Sequence, residues 1–158
     1  MYDAGRDAKP RPPGFFVDTA PSACYNAASM LPHLLRQCLV VGAGGFLGAV
    51  ARFLIATWAK NRYDQFPWAT FGINVSGSFL LGLLGTLALA RLVAEPYRLF
   101  FGVGFLGAYT TFSTFEYETA RFPSLPLALA NVIGSVVAGY VAVRLGIRLG
   151  QVWHSPHV

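Results

Sequence analysis

Charge is scarce in this sequence. Of its 158 residues only 12% are charged, 54% are hydrophobic, and the mean hydropathy is +0.49. Soluble domains carry about 25% charged residues. The shortage argues against an ordinary soluble enzyme and for a membrane protein. Carboxylates are scarcest, and residues 34–58 contain none. That absence removes the embedded acid a four-helix drug/proton antiporter would need in its first helix. Cysteine is nearly absent too. Cys24 and Cys38 form no CxxC pair and have no histidine cluster beside them, so neither a zinc site nor a redox dithiol is indicated. The histidines, His33, His154 and His157, lie at the ends of the apolar region. No span therefore offers a serine–base pair for an intramembrane hydrolase. No phosphate-binding loop is present either, so nothing points to ATP-driven transport.

The charge that exists is mostly basic, and the pI is about 9.6. The nine Lys and Arg after residue 30 are scattered beside apolar runs. Lipid headgroups explain that pattern better than nucleic acid does.

Residues 1–29 are rich in Pro, Ala and Asp, and Phe15-Phe16-Val17 is too short for a signal-peptide core. This stretch reads as a disordered extension. Membrane-like sequence begins at Met30, a candidate for the true translation start. Four apolar blocks follow, at about 34–58, 67–91, 98–120 and 124–146, with 151–158 as a tail. A membrane helix needs about 20 residues, so the expected fold is an all-α membrane protein of four transmembrane helices. Trp58, Lys60, Arg62 and Tyr63 resemble an interfacial belt after the first block. Pro67 suits the first turn of the second helix, and Pro123 and Pro126 mark the start of the fourth.

With four spans, one side of the membrane carries Arg36, Arg91, Arg98, Arg144 and Arg148. The other carries Arg52, Lys60, Arg62 and Arg121. Orientation follows such differences, and five against four gives almost no instruction. Charge alone leaves open one weakly set orientation or insertion both ways. Arg6, Lys9 and Arg11 would unbalance the count, so it depends on where the chain starts.

Polar and small residues recur every four positions, and so share helix faces. The first block has Gly44, Gly48 and Arg52; the second Thr70, Asn74, Ser78 and Gly82; the fourth Asn131, Ser135 and Gly139. Glycines so spaced let helices approach closely. A Thr-Asn-Ser track is either interhelical hydrogen-bonding or the lining of a wet path, and both readings stand at this point. The third block differs. Gly102, Gly104 and Gly107 precede Ala108-Tyr109-Thr110-Thr111-Phe112-Ser113-Thr114-Phe115, which disfavours regular helix. A break in the third helix is therefore expected. In a membrane it is tolerated only where protein buries it or a polar cavity meets it. Its free carbonyls suit a hard cation such as Na⁺. Phe112 and Phe115 lie three apart, and the positive edges of their rings can face a small anion.

These segments resemble the Fluc (CrcB) fluoride channel family across residues 31–150. Gly44-Gly45-Phe46-Leu47-Gly48-Ala49-Val50-Ala51-Arg52-Phe53 is similar to its GGxxGAxxRY segment. Thr70 to Phe79 is similar to TLxVNxxGxF, and Gly104 to Phe115 matches GFxGxxTTFSTF. The resemblance implies an antiparallel, dual-topology homodimer in the cell (inner) membrane, multi-pass and not an enzyme. It implies two pores per dimer that passively export fluoride and relieve its toxicity, with a structural Na⁺ at the dimer centre. The backbone carbonyls of Gly107 and Thr110 would hold Na⁺. Phe112, Phe115 and Asn74 would line the fluoride path. Ser113, Thr114, Ser135 and Thr70 would belong to the pore or its hydroxyl track, Arg52 to a vestibule, and Glu118 to the polar position beyond the second Phe. The chain departs from the family at Asn131, where Tyr is common, and at Phe53, Ala69 and Gly139. A structural membrane protein without transport is the remaining rival, and the ordered polar tracks argue against it. Mass spectrometry of the mature N-terminus tests the Met30 start; an intact Met1 peptide would end it.

Overall fold

The computed structural model describes residues 27–60 and 66–154. Most of the expected extension, Arg62 and Tyr63 of the expected belt, and the end of the tail lie outside the described residues. Those described form helices joined by short links, with no strand among them. The first helix, α1, runs Ala27–Lys60, and α2 runs Trp68–Leu89. The third block starts with one α-turn, α3 (Glu95–Tyr97), and continues as a π-helix over Arg98–Leu106. It closes with a turn, α4 (Gly107–Tyr109), and resumes as α5 (Phe112–Ala120). The last helix, α6, spans Leu125–His154. The expected break in the third helix is present at Thr110–Thr111. Helices α1, α2 and α6 are each long and apolar enough to cross a membrane. The two halves of the third block are each too short to cross alone. The first and fourth helices also run beyond their expected ends.

Close backbone approach organises the packing. Helix α1 lies along the π-helix because Gly44 and Gly48 carry no side chain there. A Cβ on Gly44 would fall on the Phe100 carbonyl, and one on Gly48 on the Phe105 carbonyl. Helices α2 and α6 pack the same way. A Cβ on Gly82 would meet the Val143 carbonyl, and one on Gly146 the Phe79 carbonyl. Without a hydrophobic drive between helices in lipid, such van der Waals contact is a main source of association. The two pairs join at a small core of Ile73, Leu106 and Tyr109, with Ala51, Leu81, Leu84 and Phe105 packed against it. Tyr109 stacks on Phe105 at 5.7 Å, and its hydroxyl meets Ser76 Oγ at 3.0 Å.

The large apolar side chains left outside this core, among them Leu39, Phe46, Phe53, Ile133 and Val136, are exposed. In water that distribution would be untenable, and in lipid it is the expected one. An aromatic group gathers where α2 begins and α5 turns into α6. There Phe66 lies 4.5 Å from Trp68 and 6.2 Å from both Phe71 and Phe122.

Helix α2 ends in a left-handed residue, Arg91, with φ of 60°. The Arg91 N–H donates to the Ala88 carbonyl and the Leu92 N–H to the Leu87 carbonyl, both at 3.0 Å. This is a Schellman closure, which glycine usually occupies. A side chain there costs about 1–2 kcal/mol. Arg91→Gly is accordingly expected to melt at a higher temperature than Arg91→Ala, which removes the same charge, by the equivalent of about 1 kcal/mol. Equal midpoints in detergent would show that this position carries no backbone cost.

Candidate functional site

The break is built by capping and by one side chain from α2. The backbone is extended at Thr110 (φ −75°, ψ 153°) and again at Thr111 (φ −147°, ψ 114°). Thr111 is the N-cap of α5. Its Oγ1 accepts from the Thr114 N–H at 3.3 Å and donates to Thr114 Oγ1 at 2.9 Å. A Thr cap contributes about 1 kcal/mol. Asn74 supplies the rest. The Thr111 N–H donates to Asn74 Oδ1 at 2.8 Å, and Asn74 Nδ2 donates to the Thr111 carbonyl at 3.1 Å. The carboxamide thus pairs with one residue's backbone as a neighbouring strand would. One Nδ2 hydrogen remains available for another acceptor.

The carbonyls of residues 107–110 lose their helical donors in this arrangement, those of Gly107 and Thr110 among them. In an unbroken helix the Thr111 N–H would serve the Gly107 carbonyl, but here it serves Asn74. The Thr114 N–H would serve the Thr110 carbonyl, but here it serves the Thr111 hydroxyl. Gly107 and Thr110 are the two residues whose carbonyls the resemblance assigns to Na⁺. Oxygen donors of this kind suit a hard cation. Two from one chain are too few for an alkali ion, and a symmetric second copy would double them. A Cβ added at Gly107 would meet nothing within 4 Å, so that side of its Cα faces open space. The other route to a metal is absent: no group of three or more His, Cys, Asp or Glu comes together among the described residues.

The break borders a cleft of about 500 Å³ between α2, the third block and α6. Of the residues expected to line the pore or hold Na⁺, those that line it are Asn74, Phe112, Phe115, Ser135, Gly107 and Thr110. These come from three separate segments. Gly77 admits Thr110, whose methyl lies where a Cβ on Gly77 would stand. The Phe112 and Phe115 rings are 6.1 Å apart, tilted by 36°. Phe115 is buried, but Phe112 is 70% exposed on the open side of the cleft. The cleft in a single chain is therefore open on that side.

Other expected site residues lie outside its lining. Thr70 is buried on α2, one turn before Asn74. Arg52 is half-buried on α1, one turn beyond Gly48. Ser113 is exposed, and Thr114 is engaged in the cap. Asn131, expected to share a space with Ser135, is instead 2% exposed and lies behind the lining, bonded to Thr119. Glu118 turns one carboxylate oxygen, Oε2, into the protein with no hydrogen-bond partner among the described residues. Sequence reasoning missed Thr119 and Tyr109. The signal for Thr119 was its place one turn after Phe115, where a hydroxyl can reach back to a carbonyl.

A family model described as CrcB-like protein, Camphor Resistance (CrcB), matches residues 39–147. The chain belongs to the CrcB family. Relatives agree over most of their length. A protein of Solibacter usitatus is 47% identical over 118 residues, covering 72% of this chain and 97% of the relative. One of Chlorobium luteolum is 44% identical over 119 residues, covering 73% of this chain and 92% of the relative. One of Methylobacterium radiotolerans is 41% identical over 124 residues, covering 75% and 87%. Each is named a fluoride-specific ion channel FluC. CrcB proteins are thus channels rather than enzymes. With its three apolar spanning helices and interrupted fourth, this member is a multi-pass membrane protein.

Replacing Asn74 with Leu removes both bonds to Thr111 and leaves its N–H and C=O unpaired. Each unmet group costs about 1–3 kcal/mol. The Asn74→Leu protein should therefore melt at a clearly lower temperature in detergent, followed by tryptophan fluorescence. An unchanged midpoint would show that the pairing does not hold the break.

Proposed function

We propose that this chain is a fluoride channel of the inner cell membrane that lets fluoride leave the cytoplasm passively and so limits its toxicity. The observation that carries the reading is the cleft, where Asn74, Phe112, Phe115 and Ser135 converge beside the helix break. The names of the CrcB relatives support the choice of ion.

The chemistry of the lining fits a small, strongly hydrated anion. Such an ion enters only where donors replace its water, and leaves only if no site binds it too tightly. The spare Nδ2 hydrogen of Asn74 and the Ser135 hydroxyl are neutral donors. The ring edges of Phe112 and Phe115 add weak positive potential without a full charge. Among the described residues no cation lines the cleft to trap the anion. Thr70, Ser113, Thr114 and Arg52 lie outside the lining of a single chain, and in this reading they would belong to the hydroxyl track and the vestibule of the completed pore. The reading has no ATP step, so direction follows the gradient.

The functional unit in this reading is an antiparallel, dual-topology homodimer with two pores. The exposure of Phe112 supports it, because a second copy would close the open side of the cleft. The near-even basic residues, five against four from residue 30, support insertion both ways. A structural Na⁺ at the dimer centre would neutralise carbonyl dipoles turned towards each other. The carbonyls of Gly107 and Thr110, released from their helical donors, are the groups that would hold it.

Liposomes containing the protein should release fluoride, read with a fluoride electrode, and retain chloride. Absence of fluoride efflux would sink the channel reading. Phe112→Ile should cut the flux at least tenfold, as expected for loss of an interaction made in the ion's path, while the dimer persists on size exclusion. A reporter at the C-terminus should be found on both sides of the membrane; one orientation alone would refute the homodimer's dual topology.

A further inference from the structure

Helix α5 is nine residues long, and a helix so short is marginal alone. Its rotation about its own axis determines where both phenylalanine rings point. Its start is fixed by the Thr111 cap. Its C-terminal end is held from α6 by a run of hydrogen bonds. The Thr119 hydroxyl donates to the Phe115 carbonyl at 2.7 Å. Asn131 Nδ2 donates to Thr119 Oγ1 at 2.7 Å. The Ser135 hydroxyl donates to Asn131 Oδ1 at 3.4 Å. All three donate in one sense, from the cleft-lining Ser135 to the backbone of Phe115. Asn131 is only 2% exposed, so its carboxamide has no water to fall back on.

We propose that Asn131, acting through Thr119, is a positioning residue that fixes the rotation of α5 and thereby the place of the Phe115 ring in the cleft. The inference rests on the reading of that cleft as a fluoride path. Its physical basis is the strength and direction of the bonds. Two of them are short, and Thr119 Oγ1 accepts from one neighbour while donating to the other, so each polarises the next. The Thr119 hydroxyl reaches only the carbonyl one turn back, which is that of Phe115. Loss of either amide or hydroxyl frees α5 to turn, because the Asn131–Thr119 bond is the directional contact from α6 to this helix. Ser135 forms the longest bond, and its single hydroxyl hydrogen can turn to the cleft only by leaving Asn131 Oδ1, a change that does not release the other two.

The test compares Asn131→Leu, Thr119→Val and the double variant in fluoride-loaded liposomes, with rates counted per active dimer. Each single variant should slow efflux by about tenfold, and the double variant should be no slower than either single, as expected for residues acting as one coupled unit. Thr119→Ser keeps the hydroxyl and should restore efflux to within about twofold of the unaltered protein, which a purely space-filling role would not predict. If Asn131→Leu fails to fold, Thr119→Val and Thr119→Ser, which alter one atom group on a largely unchanged shape, carry the test alone. Rates within twofold for Thr119→Val, or slowing that multiplies in the double variant, would overturn the proposal. Phe115→Ile separates this from failure of the pore reading. If that variant conducts normally, the pore reading is lost. If it slows efflux while Thr119→Val does not, only the positioning role is lost.

Discussion

An interrupted helix inside a membrane exposes main-chain groups that lipid cannot satisfy, and the carboxamide of Asn74 is what makes the interruption tolerable here. It takes the Thr111 N–H and supplies the Thr111 carbonyl in a single planar pairing. Everything near the cleft depends on that contact. It diverts the donor that the Gly107 carbonyl would otherwise receive. It sets Thr111 in the extended conformation from which α5 can restart, and it leaves the two phenylalanines on the new helix beside α2. The cost of an unsatisfied backbone group in hydrocarbon is several kcal/mol, so the pairing is enforced by the surroundings and needs no large strength of its own.

The glycines work one level out. The contact between α1 and the π-helix, and that between α2 and α6, rest on backbones close enough that no Cβ fits at Gly44, Gly48, Gly82 or Gly146. This brings the carbonyl-rich third block against α1 and frees the opposite side of that block for the cleft. The π-helical winding over Arg98–Leu106 falls where Gly102 and Gly104 remove side chains that would crowd a wider turn. Most polar side chains in the spans follow the same rule as the break, with Glu118 Oε2 the exception. Asn131, Thr119, Ser76 and Tyr109 all have partners, because in lipid an unpaired group is expensive.

The positions of the helices were legible from charge-free runs bounded by Arg, Pro and Gly. So was the existence of a break in the third block, since the glycines at 102, 104 and 107 and the β-branched, hydroxylated run after them disfavour a regular helix. The joint location of Asn74, Phe112, Phe115 and Ser135 was half legible. Period-four spacing placed each on a face of its own helix, but not which faces meet. Asn131 shows the limit clearly. Its spacing with Ser135 suggested a shared lining, yet one turn of α6 moves it behind the cleft, where Thr119 competes for its amide. Thr70 and Ser113 share faces or segments with lining residues and still fall outside the lining, and Arg52 is on α1, which contributes none of it. Helix tilt and the turn lost at Thr110–Thr111 decide that, and neither has a periodic signature.

By itself the sequence determined that this chain lives in a membrane, that it has four apolar segments, that the third cannot remain one helix, and that its segments follow the CrcB pattern. Those properties follow from composition and local propensity, which act over a few turns. Tertiary structure alone decided how the break is satisfied, which carbonyls are released, and that a short α5 is held from α6 through Asn131 and Thr119. Each of these is a competition among donors and acceptors from segments distant along the chain, and its outcome depends on distances that no spacing in the sequence contains.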